Sequence, residues 1–299
     1  MNTEALEYFI KVYEKKSVTS AAKDLFITPQ GLSKTIKQLE LDLQTELFYR
    51  GTRGVDATEY GELLYARAKH ICYLIEDLKK EISVMSGSKG TLNLVVTYAS
   101  STVLPSDLLF GFPKEYPNIQ MKLKEVPDEF PVGKLFEDEE VDVGLVLVNE
   151  KANSCDYELI LKGEVVIVVS KDHHLADRDE ISIEELEDEP LLIKAVEAGG
   201  EHSFVSKCLE HGFTPTIEYE IGNVITAHML CKANKDAYVS ISYIENFIND
   251  DKLKVIKLKE KIHQNIYLVT KKRPIQSKVV SLFKNYVDEH IKNKSWKKP

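Results

Sequence analysis

The chain has 299 residues, longer than a single hydrophobic core usually grows, so two or more domains of ~150 residues are expected. A hydrophobic content of 43% with 29% charged residues is that of an ordinary globular protein and excludes disordered and fibrous classes. The 39 basic and 48 acidic side chains leave a formal charge of −9, which for the chain as a whole argues against a polyanionic partner.

Near the start, Glu4, Glu7, Lys11, Glu14, Lys15 and Lys16 interrupt any signal-peptide core, so secretion is not expected. The longest apolar runs, 143–148 and 165–169, are strand-sized and far below the ~20 residues that a bilayer requires. Cys72, Cys155, Cys208 and Cys231 are scattered, with no CxxC and no His at metal spacing, which fits reduced cytosolic thiols.

Leu6, Phe9, Ile10 and Tyr13 recur at the spacing of an amphipathic helix. Ser17 can cap a second, shorter helix carrying Val18, Ala21, Ala22 and Leu25. After a break at Phe26 and Ile27, Thr28 can cap a third helix with Pro29 at its first position, where a missing N–H costs nothing. The buried face of this helix is expected to be Leu32, Ile36, Leu39 and Leu43, and the three helices together predict a helix-turn-helix. Residues 47–50 and 55–57 flank a Gly-rich turn and predict a small hairpin. From Thr58 a long helix follows, with Leu64, Ala68, Ile71, Ile75, Leu78 and Ile82 alternating by three and four as a heptad seam. That seam can pack on its own domain or form a dimer, and the dimer is the favoured reading.

Residues 86–90, Ser-Gly-Ser-Lys-Gly, read as a linker. Beyond them strands are predicted at 92–97, 120–125, 141–148, 165–170, 191–193, 217–221, 237–241, 253–258 and 266–270. Helices are predicted at 103–115, 201–211, 223–233 and 277–292, and the alternation predicts an α/β fold with mainly parallel sheet.

Dividing the charge changes its meaning. Residues 1–90 hold 13 basic and 13 acidic side chains, so the whole −9 belongs to residues 91–299. No acidic residue lies between Asp24 and Glu40, or between Glu46 and Asp56. The first window is the third helix, whose outer face carries Gln30, Ser33, Lys34 and Lys37; the second is the hairpin, with Arg50 and Arg53. A helix N-terminus in a major groove lets Gln and Lys read base edges while Arg and Lys meet phosphates. A solvated polar face is the plainer alternative.

The segments Ser17-Val18-Thr19-Ser20-Ala21-Ala22-Lys23-Asp24-Leu25, Thr28-Pro29-Gln30-Gly31-Leu32-Ser33-Lys34, Leu47-Phe48-Tyr49-Arg50 and Thr58-Glu59-Tyr60-Gly61 resemble the N-terminal signature of LysR-type transcriptional regulators. Pro29-Gln30 stands where the family usually has Gln-Pro, and Gln44 where it usually has Gly. Leu104-Pro105, Tyr116-Pro117, residues 141–144, His174-Leu175-Ala176 and residues 212–215 follow in the family's order. The resemblance implies an N-terminal all-α winged helix-turn-helix with a long linker helix, then an α/β two-lobed effector domain like a periplasmic binding protein.

On that reading the DNA-binding domain is 1–58, the linker and dimerisation helix 59–86, the hinge 87–90 and the effector domain 91–299. Its first lobe would span about 91–162 and 266–299, and its second about 163–265. DNA contacts are expected from Thr28, Pro29, Gln30, Ser33, Lys34, Lys37, Arg50 and Arg53. Ser100, Ser101 and Thr102, opening a helix after the first effector-domain strand, are expected to hold a carboxylate or another polar effector group. Asp128 and Glu129 would repel a pure anion and favour an amine if they face the cleft, although a solvated loop is the plainer reading. His202, Ser203 and Asn223 are expected to face the cleft from the second lobe. No metal or cofactor is expected beyond an unknown small-molecule effector. The expected partners are double-stranded DNA, RNA polymerase and further copies of the chain as dimer or tetramer, in the cytoplasm and without a membrane. A cytosolic small-molecule-binding protein or an enzyme using the cleft, with the helical head as an interaction module, is the alternative. Peroxide-sensing relatives use two cysteines near Cys208, but only one is present here, so a buried thiol is expected.

Overall fold

The computed structural model describes residues 2–51, 54–85, 90–136, 141–196, 202–234, 236–273 and 276–292. The chain forms two compact units, Met1–Ser88 and Lys89–Pro299.

In the first unit, α1 (Thr3–Lys15) is capped by Asn2, whose Oδ1 accepts from the Ala5 N–H at 2.9 Å. Ser17 caps α2 (Val18–Asp24), and Thr28 caps α3 (Pro29–Leu43) with Pro29 at its first turn. Such caps satisfy N–H groups that have no partner inside the helix. The apolar stripes of these helices converge in one core containing Leu6, Phe9, Val12, Ala21, Ala22, Leu32, Ile36 and Leu39. Leu43, expected inside, is 38% exposed because α3 ends there, with Gln44 in the left-handed conformation at φ 54°. The hairpin pairs β1 (Phe48–Gly51) with β2 (Gly54–Ala57) antiparallel. Gly54 has φ 140°, and a Cβ there would lie 2.4 Å from the Lys16 carbonyl. Only glycine lets the hairpin approach α1 this closely, where the Val55 N–H donates to that carbonyl at 3.0 Å. Thr58 then anchors α4 (Glu59–Met85): its hydroxyl donates to the Glu46 carbonyl and accepts from the Gly61 N–H.

The second unit contains two mixed sheets. One orders its strands as Ile119–Val126 (β4), Gly90–Thr97 (β3), Val143–Val148 (β5), Asn265–Lys271 (β13) and Cys155–Leu161 (β6). The other has Ile217–Ile221 (β10), Leu191–Lys194 (β9), Ala237–Ile241 (β11), Val165–Ser170 (β7), Leu253–Leu258 (β12) and Glu180–Ile181 (β8). The chain crosses from the first sheet to the second after Leu161 and returns before Asn265, which makes two lobes.

The expectation of mainly parallel sheet needs correction. β13 runs antiparallel to both β5 and β6, and β7 runs antiparallel to both β11 and β12. β6 escapes a sequence reading because Asp156 and Glu158 break its apolar run and only Cys155 and Ile160 are buried. β8 has two residues. The predicted helix 103–115 is three pieces, α5 (Tyr98–Val103), α6 (Ser106–Phe110) and α7 (Phe112–Glu115). Pro105 cannot donate within a continuous helix, so the chain restarts there. Two further helices, α8 (Val132–Leu135) and α11 (Ser242–Ile248), were not expected.

The strand β7, apolar except for its terminal Ser170, is buried on both faces. Val165, Ile167 and Val169 pack in one cluster with Phe204 and Cys208 of α9 (Ser203–Glu210). Val166 and Val168 pack in another with Ala227 and Cys231 of α10 (Val224–Asn234). Alternation of side chains along a strand places helices on both sides of the sheet. The last helix, α12 (Lys278–Lys292), buries Val279, Val280, Phe283, Tyr286 and Val287.

Candidate functional site

In the first unit, Gln30, Ser33, Lys34 and Lys37 line one surface groove together with Val18, Thr19 and Pro29. Gln30, Lys34 and Lys37 are exposed and Ser33 is half-buried, while Leu32 and Ile36 on the opposite face are buried. No carboxylate lines this groove among the described residues. Thr28 is placed differently from a free contact: its hydroxyl is engaged as the cap of α3, accepting from the Gly31 N–H at 3.1 Å. Arg50 lies on β1, and Arg53 falls outside the described residues. Sequence reasoning did not single out Phe26, which is 95% exposed in the turn before α3 and has φ 56°.

In the second unit, a cavity of about 50 Å³ lies between the lobes, lined by Asp128, Glu129, Asn149 and Gln264 from the first lobe and its connection. Lys194, His202, Ser203, Tyr238 and Ser240 line it from the second. It adjoins a groove of about 560 Å³ that shares Asp128, Glu129, Asn149 and Ser203. At the centre, Lys194 Nζ donates to Asp128 Oδ2 across the cleft. Asp128 Oδ1 accepts from the Ala99 N–H at 2.7 Å, at the start of α5. Lys194 Nζ also sits 5.3 Å from the centre of the Tyr98 ring. Gln264 Nε2 bridges the lobes a second time, donating to Ser203 Oγ at 2.7 Å and to Asn149 Oδ1 at 3.2 Å.

Several expectations for this site are corrected by the geometry. Ser100, Ser101 and Thr102 do not line the cavity. Ser100 is fully buried and its hydroxyl pairs with Thr97 Oγ1 at 2.9 Å. Ser101 and Thr102 turn their hydroxyls back to the Tyr98 carbonyl. The α5 N-terminus, expected to hold an effector carboxylate, is occupied by the protein's own Asp128 carboxylate. Asp128 is therefore not a solvated loop acid: it is 4% exposed and paired. Asn223 is exposed, caps α10 by accepting from the Thr226 N–H at 2.9 Å and does not line the cavity. Residues 197–201, which precede His202, lie outside the described residues. Lys194 was missed because it closes the apolar strand Leu-Leu-Ile-Lys, where a terminal lysine reads as an ordinary solvated end.

Burial first, and the nearby Lys194 ammonium second, push the His202 imidazole down to about 4. Its Nδ1 has no hydrogen-bond partner among the described residues. An unfolded histidine titrates near 6.5, so between pH 6.5 and 4 the unfolded chain takes up a proton that the folded chain refuses. Stability present above pH 6.5 is thus lost as the pH falls through that window. His202→Gln should reduce the stability difference between pH 7 and pH 5 by about 2 kcal/mol, read from urea unfolding at both values. Identical pH slopes in the two proteins would refute the assignment.

Burial pushes the thiols of Cys208 and Cys231 up to about 12, so neither is a thiolate at neutral pH. His173, His174 and Glu189 bring their ligand atoms within 4.8 Å of one another, a grouping that spacing alone does not show. The Leu175 N–H donates to His173 Nδ1, which leaves the proton on Nε2 to donate to Glu189, and the cluster is hydrogen-bonded as it stands.

Comparison with known proteins agrees with both units. Residues 3–62 match the family described as "Bacterial regulatory helix-turn-helix protein, lysR family", and residues 86–292 match the "LysR substrate binding domain". The HTH-type transcriptional regulator CysL of Bacillus subtilis is 27% identical, covering 86% of this chain and 91% of its own. BudR of Raoultella terrigena is 32% identical over 63% of this chain and 66% of its own. Among solved structures, full-length CbnR complexed with its target DNA superposes with a TM-score of 0.57 at 18% identity, covering 97% of this chain and 99% of that one. A full-length OxyR variant from Pseudomonas aeruginosa gives 0.65 at 16% identity, with 99% and 96% covered. With a helix-turn-helix head, a two-lobed substrate-binding domain and both family signatures in order, the chain belongs to the LysR family of transcriptional regulators.

Proposed function

We propose that this regulator reads double-stranded DNA with α3 and is controlled by a small molecule bound in the inter-lobe cleft. The observation that carries the first part is the groove of Gln30, Ser33, Lys34 and Lys37, which presents two ammonium groups and, among the described residues, no lining carboxylate. Gln30, Ser33 and Lys34 supply base contacts, and Lys37, Arg50 and Arg53 supply phosphate contacts. The solved CbnR complex with target DNA supports this use of the head. The functional boundaries are a DNA-binding domain at 1–58, a linker helix at 59–86 and an effector domain at 91–299; the expected linker at 86–90 and hinge at 87–90 fall, apart from Gly90, outside the described residues. Two or four copies associate through α4, and the assembly works in the cytoplasm with RNA polymerase as a further partner. No described helix is long and apolar enough to cross a membrane. Family membership identifies the protein as a regulator and not an enzyme.

The mechanism couples two equilibria: a ligand that prefers one lobe arrangement changes how the oligomer presents its heads to DNA. A footprint on the DNA flanking the protein's own gene, with and without a small-molecule cell extract, tests it. Lys34→Ala should weaken the specific footprint by on the order of tenfold with unchanged circular dichroism. A footprint unchanged by Lys34→Ala would refute the placement of α3 in the groove, and one unchanged by extract would count against effector control.

A further inference from the structure

We propose that the effector carries an alkylammonium group, and that Lys194 is a tethered stand-in for that group, held in the ammonium subsite until the effector displaces it. This rests on the reading of the cleft as the effector site.

Two features on different elements define the subsite. Asp128 is 4% exposed and fixed from behind by the Ala99 N–H at the start of α5. The Tyr98 ring face lies 5.3 Å from the Lys194 ammonium. A buried carboxylate combined with an aromatic face is how proteins recognise ammonium groups. The occupant comes from the opposite lobe, at the end of β9, on a flexible stem that is 25% exposed.

The two partners differ in what they lose on separation. Lys194 can swing towards solvent and rehydrate. Asp128 cannot leave, and a buried carboxylate without a counter-ion is costly. Any ligand entering here must therefore bring a positive charge for Asp128. Glu129 lines the same cavity, and His202 is neutral at physiological pH, so the lining becomes more acidic once Lys194 departs. An anion with no amine meets that acidity and gains only Lys194. The cavity of about 50 Å³ beside the pair holds a few waters and no metabolite, so a ligand whose ammonium takes this subsite displaces Lys194, with the adjoining groove left to hold the rest of it. Since this pair also spans the lobes, displacing Lys194 removes an inter-lobe link as it fills the site.

The ammonium could belong to a free amine or to an amino acid, and the test separates them. Thermal unfolding of the full-length protein is measured with n-butylammonium chloride, with 4-aminobutyrate and with sodium butyrate at constant ionic strength. Both ammonium probes should stabilise the wild type and butyrate should not; a larger effect of 4-aminobutyrate than of n-butylammonium would identify the amino-acid form. Lys194→Ala and Lys194→Met remove the internal competitor, so n-butylammonium should half-saturate them at a concentration at least tenfold lower than for wild type. Asp128→Asn should abolish the response. Stabilisation of the wild type by butyrate, or Lys194 variants that bind n-butylammonium no more tightly than wild type, would overturn the proposal.

A variant-free arm uses the wild-type footprint with a cell extract passed over an acidic cation exchanger, which retains amines and amino acids. Activity in the eluate supports the proposal. Activity only in the flow-through overturns it and leaves effector control standing, whereas no activity in either fraction overturns effector control itself.

Discussion

Wild-type protein should sediment as a dimer or larger assembly, and the Leu74→Asp/Leu78→Asp variant as a folded monomer. The reason lies in how α4 divides its apolar surface. Leu64, Tyr65, Ala68 and Cys72 pack into the core of the head, and Ala68 is completely buried. Tyr60, Leu63, Ile71, Leu74, Leu78 and Ile82 form a second stripe, and each is between 37% and 60% exposed in the single chain. The heptad seam expected from sequence straddles these two stripes. Its members Leu64 and Ala68 belong to the head's own core, which corrects their assignment to the dimer, and Ile71, Leu78 and Ile82 remain available to a partner.

Aspartate at two exposed positions costs the isolated head little but buries uncompensated charge in a paired helix. Operator affinity should fall at least 100-fold with the assembly, because two linked heads gain 10²–10⁴ over one. Leu64→Asp is the contrasting control: it should unfold the head and not merely separate the copies. Sedimentation of the double variant as the native oligomer would remove α4 from the interface.

The second large effect concerns a buried polar chain behind the cleft wall. Glu245 of α11 is 4% exposed and accepts from the Ser240 hydroxyl, while its other oxygen lies 3.0 Å from His228 Nε2 on α10. His228 is 2% exposed, and Asp250, bonded to Lys232 at 2.7 Å, lies beyond its Nδ1. Removing the carboxylate leaves both a buried imidazole and a buried hydroxyl without this partner. Glu245→Ala should therefore cost about 3–5 kcal/mol and lower the Tm of the effector domain by on the order of 10 °C. Glu245→Gln, which can still accept from Ser240 and bond His228, should lose clearly less. The double variant Glu245→Leu/His228→Leu should recover much of the loss, since a well-packed apolar pair can replace a buried polar one. Equal destabilisation by Ala and Gln would show that packing, not the polar chain, holds these helices. Ser240 also lines the cleft, so the same variants should alter effector response more than DNA binding to the isolated head surface.

The sequence by itself determined whatever depends on neighbours within a few positions. Caps at Ser17 and Thr28, the 3.6-residue stripes of α1 to α3 and the acid-free window of α3 are local patterns, and the structure retains them. The strands 165–170, 217–221, 237–241 and 253–258 were legible with their observed bounds for the same reason. Tertiary structure alone decided which groups meet across long separations. Asp128 and Lys194 stand 66 residues apart in sequence, and neither carries a local mark of the other. The hydroxyls of Ser100, Ser101 and Thr102 are ligand-competent by type, but helix geometry turns them to Thr97 and the Tyr98 carbonyl and leaves the α5 N-terminus to Asp128. A pattern of period 3.6 says that a helix face is apolar, but it does not say whether one partner or two will cover it. For α4 that division came from the head's packing, and for the cleft the pairing came from two chain crossings that bring a lobe-one acid against a lobe-two lysine.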